Sequence, residues 1–136
     1  MATFQLELVS PEKLILSRAV EMAVLPAAEG EMGVLPGHAP MIVTLRGGVI
    51  AVTEGGQVTE RLFVAGGFAE VTPGRCTVLA DEAIPVAQLS KITAEARLRE
   101  ADAAYAAVAL GTPVQHDAAM ARLMSARAMV TAAEAA

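Results

Sequence analysis

Apolar and polar residues alternate over short stretches through the first 84 residues of the chain. From Thr3 to Leu8, the apolar side chains face one way and the polar side chains the other, which predicts a half-buried strand. Further short runs of strand character recur as far as Ala80, at residues 14–16, 22–24, 32–35, 41–45, 49–53, 57–64, 68–71 and 76–80. Many short strands, with a turn about every eight to twelve residues, indicate a β-sandwich or a barrel.

Glycine and proline separate these runs. Gly55-Gly56 predicts a two-residue hairpin turn, because paired glycines supply the positive φ angles that such a turn needs. Gly66-Gly67 predicts a bulge or a close approach of two backbones, and Pro73-Gly74 predicts another turn. The connections between the strands are therefore expected to be short and well defined.

The segment 29–40 is the most tightly specified connection. Glycine or proline fills five of its twelve positions, yet apolar residues interrupt the turn residues. Gly30, Gly33 and Gly37 permit positive φ, which predicts a strand bounded by two shaped turns. Loops specified in this way usually present a surface to a partner, and a rigid connection of structural value only is the alternative.

The pattern changes at Ile84-Pro85, after which alanine becomes dominant. Residues 88–110 are rich in Ala, Glu, Arg and Leu, which predicts a helix, and Gly111 is placed to end it as a C′ residue. Leu89, Ile92 and Ala96 share one side of this helix, with Leu98 and Tyr105 near the opposite side.

A second helix is predicted from a capping box. Thr112 is the expected N-cap, Pro113 takes the first helical position, and Gln115 lies three residues after the cap. The helix is expected to run to about Ala132, with an apolar stripe made of Met120, Leu123, Met124 and Val130. Since alanine buries little area, we expect a thin antiparallel hairpin that docks on another part of the chain.

Composition and charge narrow the functions. Hydrophobic residues make up 54% of the 136 residues but aromatic residues only 3%, so the core must be aliphatic. No apolar run approaches the roughly 20 residues that span a bilayer, and residues 1–7 lack the features of a signal peptide. The net charge of −5 falls entirely in residues 1–84, which argues against binding to nucleic acid or anionic lipid.

Residues suited to catalysis are sparse. Cys76 is the only cysteine and lies in a predicted strand, which indicates a packed, reduced thiol. His38 and His116 are not spaced as metal ligands, so no metal site is expected. The chain has neither a nucleophile elbow nor a phosphate-binding P-loop, and we expect no catalytic site of its own.

Two blocks resemble one known family. GEMGVLPGHAP, at residues 30–40, is similar to a loop of the ε subunit of bacterial and chloroplast F-type ATP synthases, and residues 64–84 resemble the end of that family's N-terminal domain. The resemblance is strong over residues 1–84 and holds only in outline afterwards. It implies a flattened β-sandwich over residues 1–84 that binds the rotor, followed by a regulatory antiparallel two-helix hairpin over residues 85–136.

The resemblance also implies a role and partners. The ε subunit is a non-catalytic rotor part that fastens to the γ subunit and the c ring, so that proton flow drives ATP synthesis elsewhere in the complex. When its hairpin extends, it reaches the α and β subunits and can inhibit ATP hydrolysis. The family works as a peripheral subunit on the cytoplasmic face of the bacterial inner membrane.

By family position, the segment 29–38 faces the rotor. The resemblance implies that Glu31 approaches the polar, arginine-bearing loops of the c ring. It also implies that His38, which its neighbours alone would indicate as a simple turn residue, belongs to the interface. The residues that the resemblance assigns to this interface are Glu29, Glu31, Met32, Gly33, Pro36, Gly37 and His38.

Family members that bind ATP carry an Ile/Leu-Asp-x-x-Arg-Ala motif at the start of the first helix. Aligned from the block that ends at residue 84, the motif falls on Leu-Ser-Lys-Ile-Thr-Ala at residues 89–94. Ser90 replaces its acidic residue and Thr93 its basic one, so the fixed fork of guanidinium donors is lost. Lys91 cannot substitute, because two residues along a helix rotate a side chain by about 200°.

We therefore expect ATP to bind weakly or not at all, and no other cofactor. Residual contacts could come from Ser90, Arg122 and Arg127. Two alternative functions remain: a regulator whose main activity is to sense ATP through its hairpin, and a small β-sandwich enzyme or ligand binder that shares the turn motifs.

Overall fold

The computed structural model describes residues 2–135. The strands are β1 (Phe4–Val9), β2 (Leu14–Val20), β3 (Met22–Ala27), β4 (Gly30–Val34), β5 (Met41–Leu45), β6 (Gly48–Glu54), β7 (Gln57–Val64), β8 (Gly67–Thr72), β9 (Arg75–Ala80) and β10 (Ala83–Pro85). A short 3-10 turn (Val86–Gln88) leads to α1 (Lys91–Ala107) and α2 (Pro113–Ala135).

The strands form one sheet that folds over into a nearly closed sandwich. Their order is β10-β7-β6-β3-β5-β8-β9-β1-β2, and β4 pairs with β3 outside this path. Described neighbours are antiparallel except β1 and β9, which run parallel with Leu6 opposite Cys76. Arg18 of β2 forms ion pairs with Glu54 of β6 and Glu60 of β7, which link two otherwise distant parts of the sheet. The predicted sandwich followed by a two-helix hairpin is confirmed.

The sandwich core is aliphatic, as its composition predicts. Leu6, Leu8, Leu25 and Ile50 are almost fully buried within it, and Phe4 is its one aromatic member among the described residues. Cys76 is also fully buried there, and this burial raises the pKa of its thiol to about 11. The predicted packed thiol is confirmed.

Two glycine pairs have the roles that the sequence predicts. Gly55 and Gly56 have φ angles of 61° and 79°, which make the tight turn between β6 and β7. At Gly67, a Cβ atom would lie 2.0 Å from the carbonyl oxygen of Leu79, so only glycine fits beside β9. The prediction that Gly33 shapes a turn through positive φ is wrong. Gly33 does not have positive φ and lies within β4, paired with Val24.

The start of α2 confirms the capping box. The Thr112 amide donates to Gln115 Oε1 at 3.0 Å, and the Gln115 amide donates to Thr112 Oγ1 at 3.2 Å. Pro113 occupies the first helical position, where its missing N–H costs no helical hydrogen bond.

The predicted bounds of α1 are wrong at both ends. The helix begins at Lys91, because the Ser90 hydroxyl caps it by accepting from the Thr93 amide at 3.3 Å. It ends at Ala107, where the amides of Val108 and Ala109 bond to carbonyls three residues back and tighten the chain. Gly111 lies beyond this turn without positive φ, so it is not the C′ residue.

The predicted apolar stripes are also wrong in part. The buried residues of α2 recur every three positions: Leu123, Ala126, Met129 and Ala132. On α1 the buried residues are Ala94 and Ala101, whereas Ile92 is 79% exposed. Small side chains let the helices and the sheet approach closely, so alanine forms much of the packed face, together with Leu123 and Met129 on α2.

The helical hairpin docks on the sandwich through a small apolar cluster. Phe63 of β7 is fully buried against Ala94 of α1 and against Met129 and Ala132 of α2. A second cluster, in which Leu98 and Tyr105 pack with Leu123, joins the two helices. The division into a domain of residues 1–84 and an appendage of residues 85–136 stays a prediction.

Candidate functional site

The segment singled out by the sequence begins with an acidic hairpin, by which we mean β3, β4 and the turn at Ala28 and Glu29. Ala27 pairs with Gly30 across this turn, and Gly30 has a φ of 137° that favours glycine. Glu29 and Glu31 are exposed, and neither takes part in an ion pair among residues 2–135. Since β4 pairs only with β3 in the described part of the chain, these carboxylates lie at an open edge of the sheet.

An open groove of about 500 Å³ lies between the acidic hairpin and β5. Glu29, Glu31 and Met32 line it from one side, and Met41 and Ile42 from the other. Ile42 is 72% exposed although it belongs to a strand. The groove therefore combines free carboxylates with uncovered apolar side chains, a combination typical of interfaces.

Met32 and Gly33 belong to the strand of the acidic hairpin rather than to its turn. A Cβ atom at Gly33 would lie 3.0 Å from Cε of Met22, so the absence of a side chain makes room for that methionine. The earlier expectation that Gly33 shapes a turn is replaced by this packing role. Met32 is half-buried and packs against the sandwich core.

The other predicted interface residues lie beyond β4. The Gly37 amide donates to the carbonyl oxygen of Pro73 at 2.8 Å, which fixes this segment to the turn between β8 and β9. Pro36 is half-buried, and His38 Nδ1 lies 2.8 Å from its neighbour's carbonyl oxygen. None of the three lines the groove, and no hydrogen bond within residues 2–135 joins His38 to Glu29 or Glu31.

An apolar row that the sequence did not predict crosses the outer face of the sheet. Cross-strand pairs align Thr44 with Phe68, Phe68 with Leu79, Leu79 with Val9, and Val9 with Leu14. We call these five residues the outer row. Phe68 is 47% exposed and Leu79 is 40% exposed. Ile42 lies two residues from Thr44 on the same face, so the outer row continues into the groove.

The missed signal for this surface was the composition of β5. Met41, Ile42, Val43 and Leu45 are apolar on both faces of a strand whose buried residues are only Val43 and Leu45. An apolar residue on the solvent side of an antiparallel strand marks a surface that needs a cover. The rest of the row depends on which strands are neighbours, and that order is not written in the local pattern.

The residues considered for nucleotide binding lie near the helical hairpin. An open cavity of about 430 Å³ between the sandwich and the helices is lined by three carboxylates and two guanidinium groups: Asp81, Glu82, Glu100, Arg97 and Arg122. Ser90 lines a smaller neighbouring cavity of about 120 Å³ together with Thr93. Arg127 is exposed and lines neither cavity.

Two ion pairs occupy the guanidinium groups of the larger cavity. Arg97 binds both carboxylate oxygens of Glu82, with Nη2 2.8 Å from Oε2. The hydrogen bonds from Arg97 lower the pKa of the Glu82 carboxyl below its ordinary value. Arg122 Nη2 lies 3.7 Å from Glu100 Oε2 at the surface. The Ser90 hydroxyl already serves as the helix cap.

No group of three or more His, Cys, Asp or Glu residues in the described chain could hold a metal ion. The ring of His116 packs against that of Tyr105, with 4.8 Å between the two ring centroids, near the connection between the two helices. No helix among residues 2–135 is long and apolar enough to cross a membrane.

Comparison with known proteins places this fold in a class. A family model described as ATP synthase, Delta/Epsilon chain, beta-sandwich domain matches residues 3–86. The ATP synthase epsilon chain of Granulibacter bethesdensis is 63% identical over 133 residues, which cover 98% of each chain. That of Gluconacetobacter diazotrophicus is 48% identical over 134 residues, covering 98% of this chain and 94% of the relative.

Solved assemblies contain chains of similar fold. One, in the Euglena gracilis mitochondrial ATP synthase OSCP/F1/c-ring assembly, has a TM-score of 0.78 and 25% identity, covering 97% of this chain and 82% of that chain. Another, in the Tetrahymena thermophila mitochondrial ATP synthase central stalk/c-ring, has a TM-score of 0.69 and covers 96% of both chains. At 13% identity, the latter shows the fold alone.

The sandwich and its docked helical hairpin thus define a stalk subunit of the delta/epsilon class. The chain belongs to the family of ATP synthase epsilon chains, as the resemblance predicted. It is a non-catalytic central-stalk subunit of a membrane-associated complex. The alternative of an unrelated sandwich enzyme that shares turn motifs is excluded by similarity over 98% of the chain.

Proposed function

We propose that the acidic hairpin and the outer row fasten this subunit to the rotor, the acidic hairpin towards the c ring and the outer row towards the γ subunit. The observation that carries the proposal is the pair of free carboxylates, Glu29 and Glu31, beside the uncovered apolar side chains of Met41 and Ile42. Exposed apolar side chains rimmed by charged residues are typical of a surface that a partner covers.

Charge favours the c ring as the partner of the acidic hairpin. In the family, the loops of the c ring that face this segment are polar and carry arginine. A carboxylate at an open strand edge can accept both donors of a guanidinium group, which gives a directional contact that resists slipping. Glu31 is the better candidate, because it lies within β4 rather than at the tip of the turn.

The outer row suits the γ subunit because it is broad and apolar. It crosses five strands, and burial of its side chains stabilises an interface by about 25 cal/mol per Å² of area removed from water. Pro36, Gly37 and His38 are fastened to the turn at Pro73, at the opposite end of β8 from Phe68, so they extend the proposed interface beyond the outer row. His38 then supplies a polar contact at its rim.

Such an interface explains how a part without catalytic residues contributes to ATP synthesis. A rigid sandwich fixed to both γ and the c ring transmits torque from proton flow to catalytic sites elsewhere. The subunit acts peripherally on the cytoplasmic face of the bacterial inner membrane. When extended, the helical hairpin reaches the α and β subunits and inhibits ATP hydrolysis.

The substitution Glu31→Arg tests the proposal in membranes that carry the whole complex. It places a cation against the arginine-bearing loops, and a charge-assisted contact is worth about 1.5–3 kcal/mol. We expect weaker coupling between proton flow and ATP synthesis, measured as ATP formed per unit of proton-motive force. The thermal transition of the isolated chain should not change, since the Glu31 side chain is exposed and forms no ion pair with another described residue.

Asp102→Arg is the matched control. Asp102 is an exposed carboxylate on α1, and it undergoes the same charge reversal far from the acidic hairpin along the chain. Coupling should stay at the wild-type level. Equal coupling in the Glu31→Arg and Asp102→Arg membranes would refute the assignment of the acidic hairpin.

A further inference from the structure

The contacts between the sandwich and the helical hairpin converge on one place. Of the ion pairs among residues 2–135, only that of Glu82 with Arg97 joins the strands to the helices. Glu82 lies just before β10, and its carbonyl oxygen accepts from the Ala65 amide at 3.0 Å. This backbone hydrogen bond places Glu82 beside the end of β7, and its carboxylate reaches Arg97 of α1.

The second helix is held at Ala65, beside Glu82. Ser125 Oγ donates to the carbonyl oxygen of Ala65 at 2.9 Å. Beside it, a Cβ atom at Gly47 would lie 2.6 Å from Cα of Ser125, so the backbones of the sheet and of α2 approach closely. Both helices are therefore held near Ala65. Ser125 of α2 binds its carbonyl oxygen directly, and Arg97 of α1 binds Glu82, whose carbonyl oxygen accepts from the Ala65 amide.

The apolar part of the docking surface is small. Among residues 2–135, Phe63 is its only large, fully buried side chain on the sheet, and alanines provide much of what covers it. Because alanine buries little area, the gain at about 25 cal/mol per Å² is modest. Polar contacts then decide a large share of the balance between a docked and a detached hairpin.

We infer that the bidentate ion pair between Glu82 and Arg97 is an ionic clasp that holds the helical hairpin on the sandwich without a nucleotide. Both oxygens of Glu82 and both terminal nitrogens of Arg97 take part, so the contact has the directional fork geometry that a single hydroxyl lacks. The inference concerns the isolated chain and does not depend on the rotor interface proposed above.

Ion pairing at a partly exposed site is screened by salt. The side chains of Glu82 and Arg97 are 36% and 42% exposed, so the clasp should weaken as ionic strength rises. The hairpin should therefore detach more often in high salt, while the apolar core of the sandwich stays intact.

Thiol labelling can measure this detachment in the full chain. Ala132→Cys places a reactive group on α2 at a position that is covered when the hairpin is docked. The native Cys76 serves as an internal control, since it reacts only when the sandwich itself unfolds. Faster labelling at position 132 than at Cys76 isolates detachment from global unfolding.

Arg97→Gln should speed labelling at position 132 about three- to tenfold at low salt and leave Cys76 unchanged. Arg122→Gln is the matched control, because its ion pair with Glu100 lies wholly within the helical hairpin. It should leave the rate unaltered. The charge swap Glu82→Arg with Arg97→Glu should restore much of the protection.

A second measurement avoids the introduced cysteine. Met129 of α2 is almost fully buried between the helical hairpin and Phe63, so its oxidation by peroxide, followed by mass spectrometry, also reports detachment. It should accelerate in Arg97→Gln and at about 1 M salt in the wild type, where screening acts within a few ångströms. Equal oxidation rates in the wild type and Arg97→Gln at low salt would overturn the clasp.

Discussion

Individual side chains at the first helix decide whether this subunit can hold ATP. Ser90 caps α1, and its hydroxyl is already used by the Thr93 amide. Arg97 lines both cavities, but two of its guanidinium nitrogens already bind the carboxylate of Glu82. The larger cavity holds more carboxylates than guanidinium groups, which disfavours a polyphosphate.

We predict that the isolated subunit binds ATP in the millimolar range or not at all. Loss of a charge-assisted contact costs about 1.5–3 kcal/mol, equivalent to roughly a tenfold to hundredfold change in affinity. Isothermal titration should therefore give no saturable signal at micromolar ATP. Thr93→Arg, which restores the basic motif position, is the matched gain-of-binding variant. Micromolar binding to the wild type would contradict the prediction and move the ATP-sensor alternative to first place.

The residue scale is also where local sequence signals were most reliable. Gly55-Gly56 and the Thr112–Gln115 capping box have the predicted geometry, because each depends on neighbours within a few residues. Gly33 was misjudged, since its constraint comes from Met22 on the adjacent strand. Glu29 and Glu31, which the resemblance assigned to an interface, are exposed, and that role stays a proposal.

At the scale of strands and helices, alternation located the half-buried strands because one face of each meets the core. The same logic failed on the helices, where Ala94 and Ala126 are buried and Ile92 is exposed. Hydrophobicity ranks isoleucine above alanine, but close packing on the sheet requires small side chains. The outer row was missed for a related reason: it forms only when β9 lies between β8 and β1.

The outer row yields a prediction about binding to γ. Phe68→Ser removes the largest side chain of the row, and we expect binding to isolated γ to weaken by about tenfold or more, since truncation of a large apolar anchor at an interface costs about 2 kcal/mol. Thr44→Ser, the adjacent position, should have little effect. Surface plasmon resonance with immobilised γ can compare the two variants, and equal affinities would exclude the outer row from the interface.

The whole molecule adds relations that no local pattern contains. The parallel pairing of β1 with β9 joins residues about 70 positions apart in the chain, as in Leu6 with Cys76. The docking of the hairpin likewise joins Ser125 to Ala65. The resemblance to a family implied the sandwich and the helical hairpin. The residues that connect them depend on long-range geometry.

The proposed division into two units gives the last prediction. Most of the sandwich core forms a cluster without any residue of the helices, so the strands should fold alone. A chain that ends at Gln88 is the better test than one that ends at Ile84, because Pro85 pairs with Leu62 and the 3-10 turn contains the buried Val86.

We expect this shortened chain to unfold in one cooperative thermal transition, with a Tm lower by several degrees because Phe63 loses its cover. Each kcal/mol lost corresponds to about 4–8 °C for a unit of this size. Without the helices, Phe63 is exposed and should promote association of the shortened chain, so Phe63→Ser should raise its solubility. In the full chain, the same substitution should destabilise the docked hairpin, because it removes the side chain that the helices cover. Circular dichroism that shows an unfolded shortened chain would mean that the helices are part of the core and that the division near residue 84 is wrong.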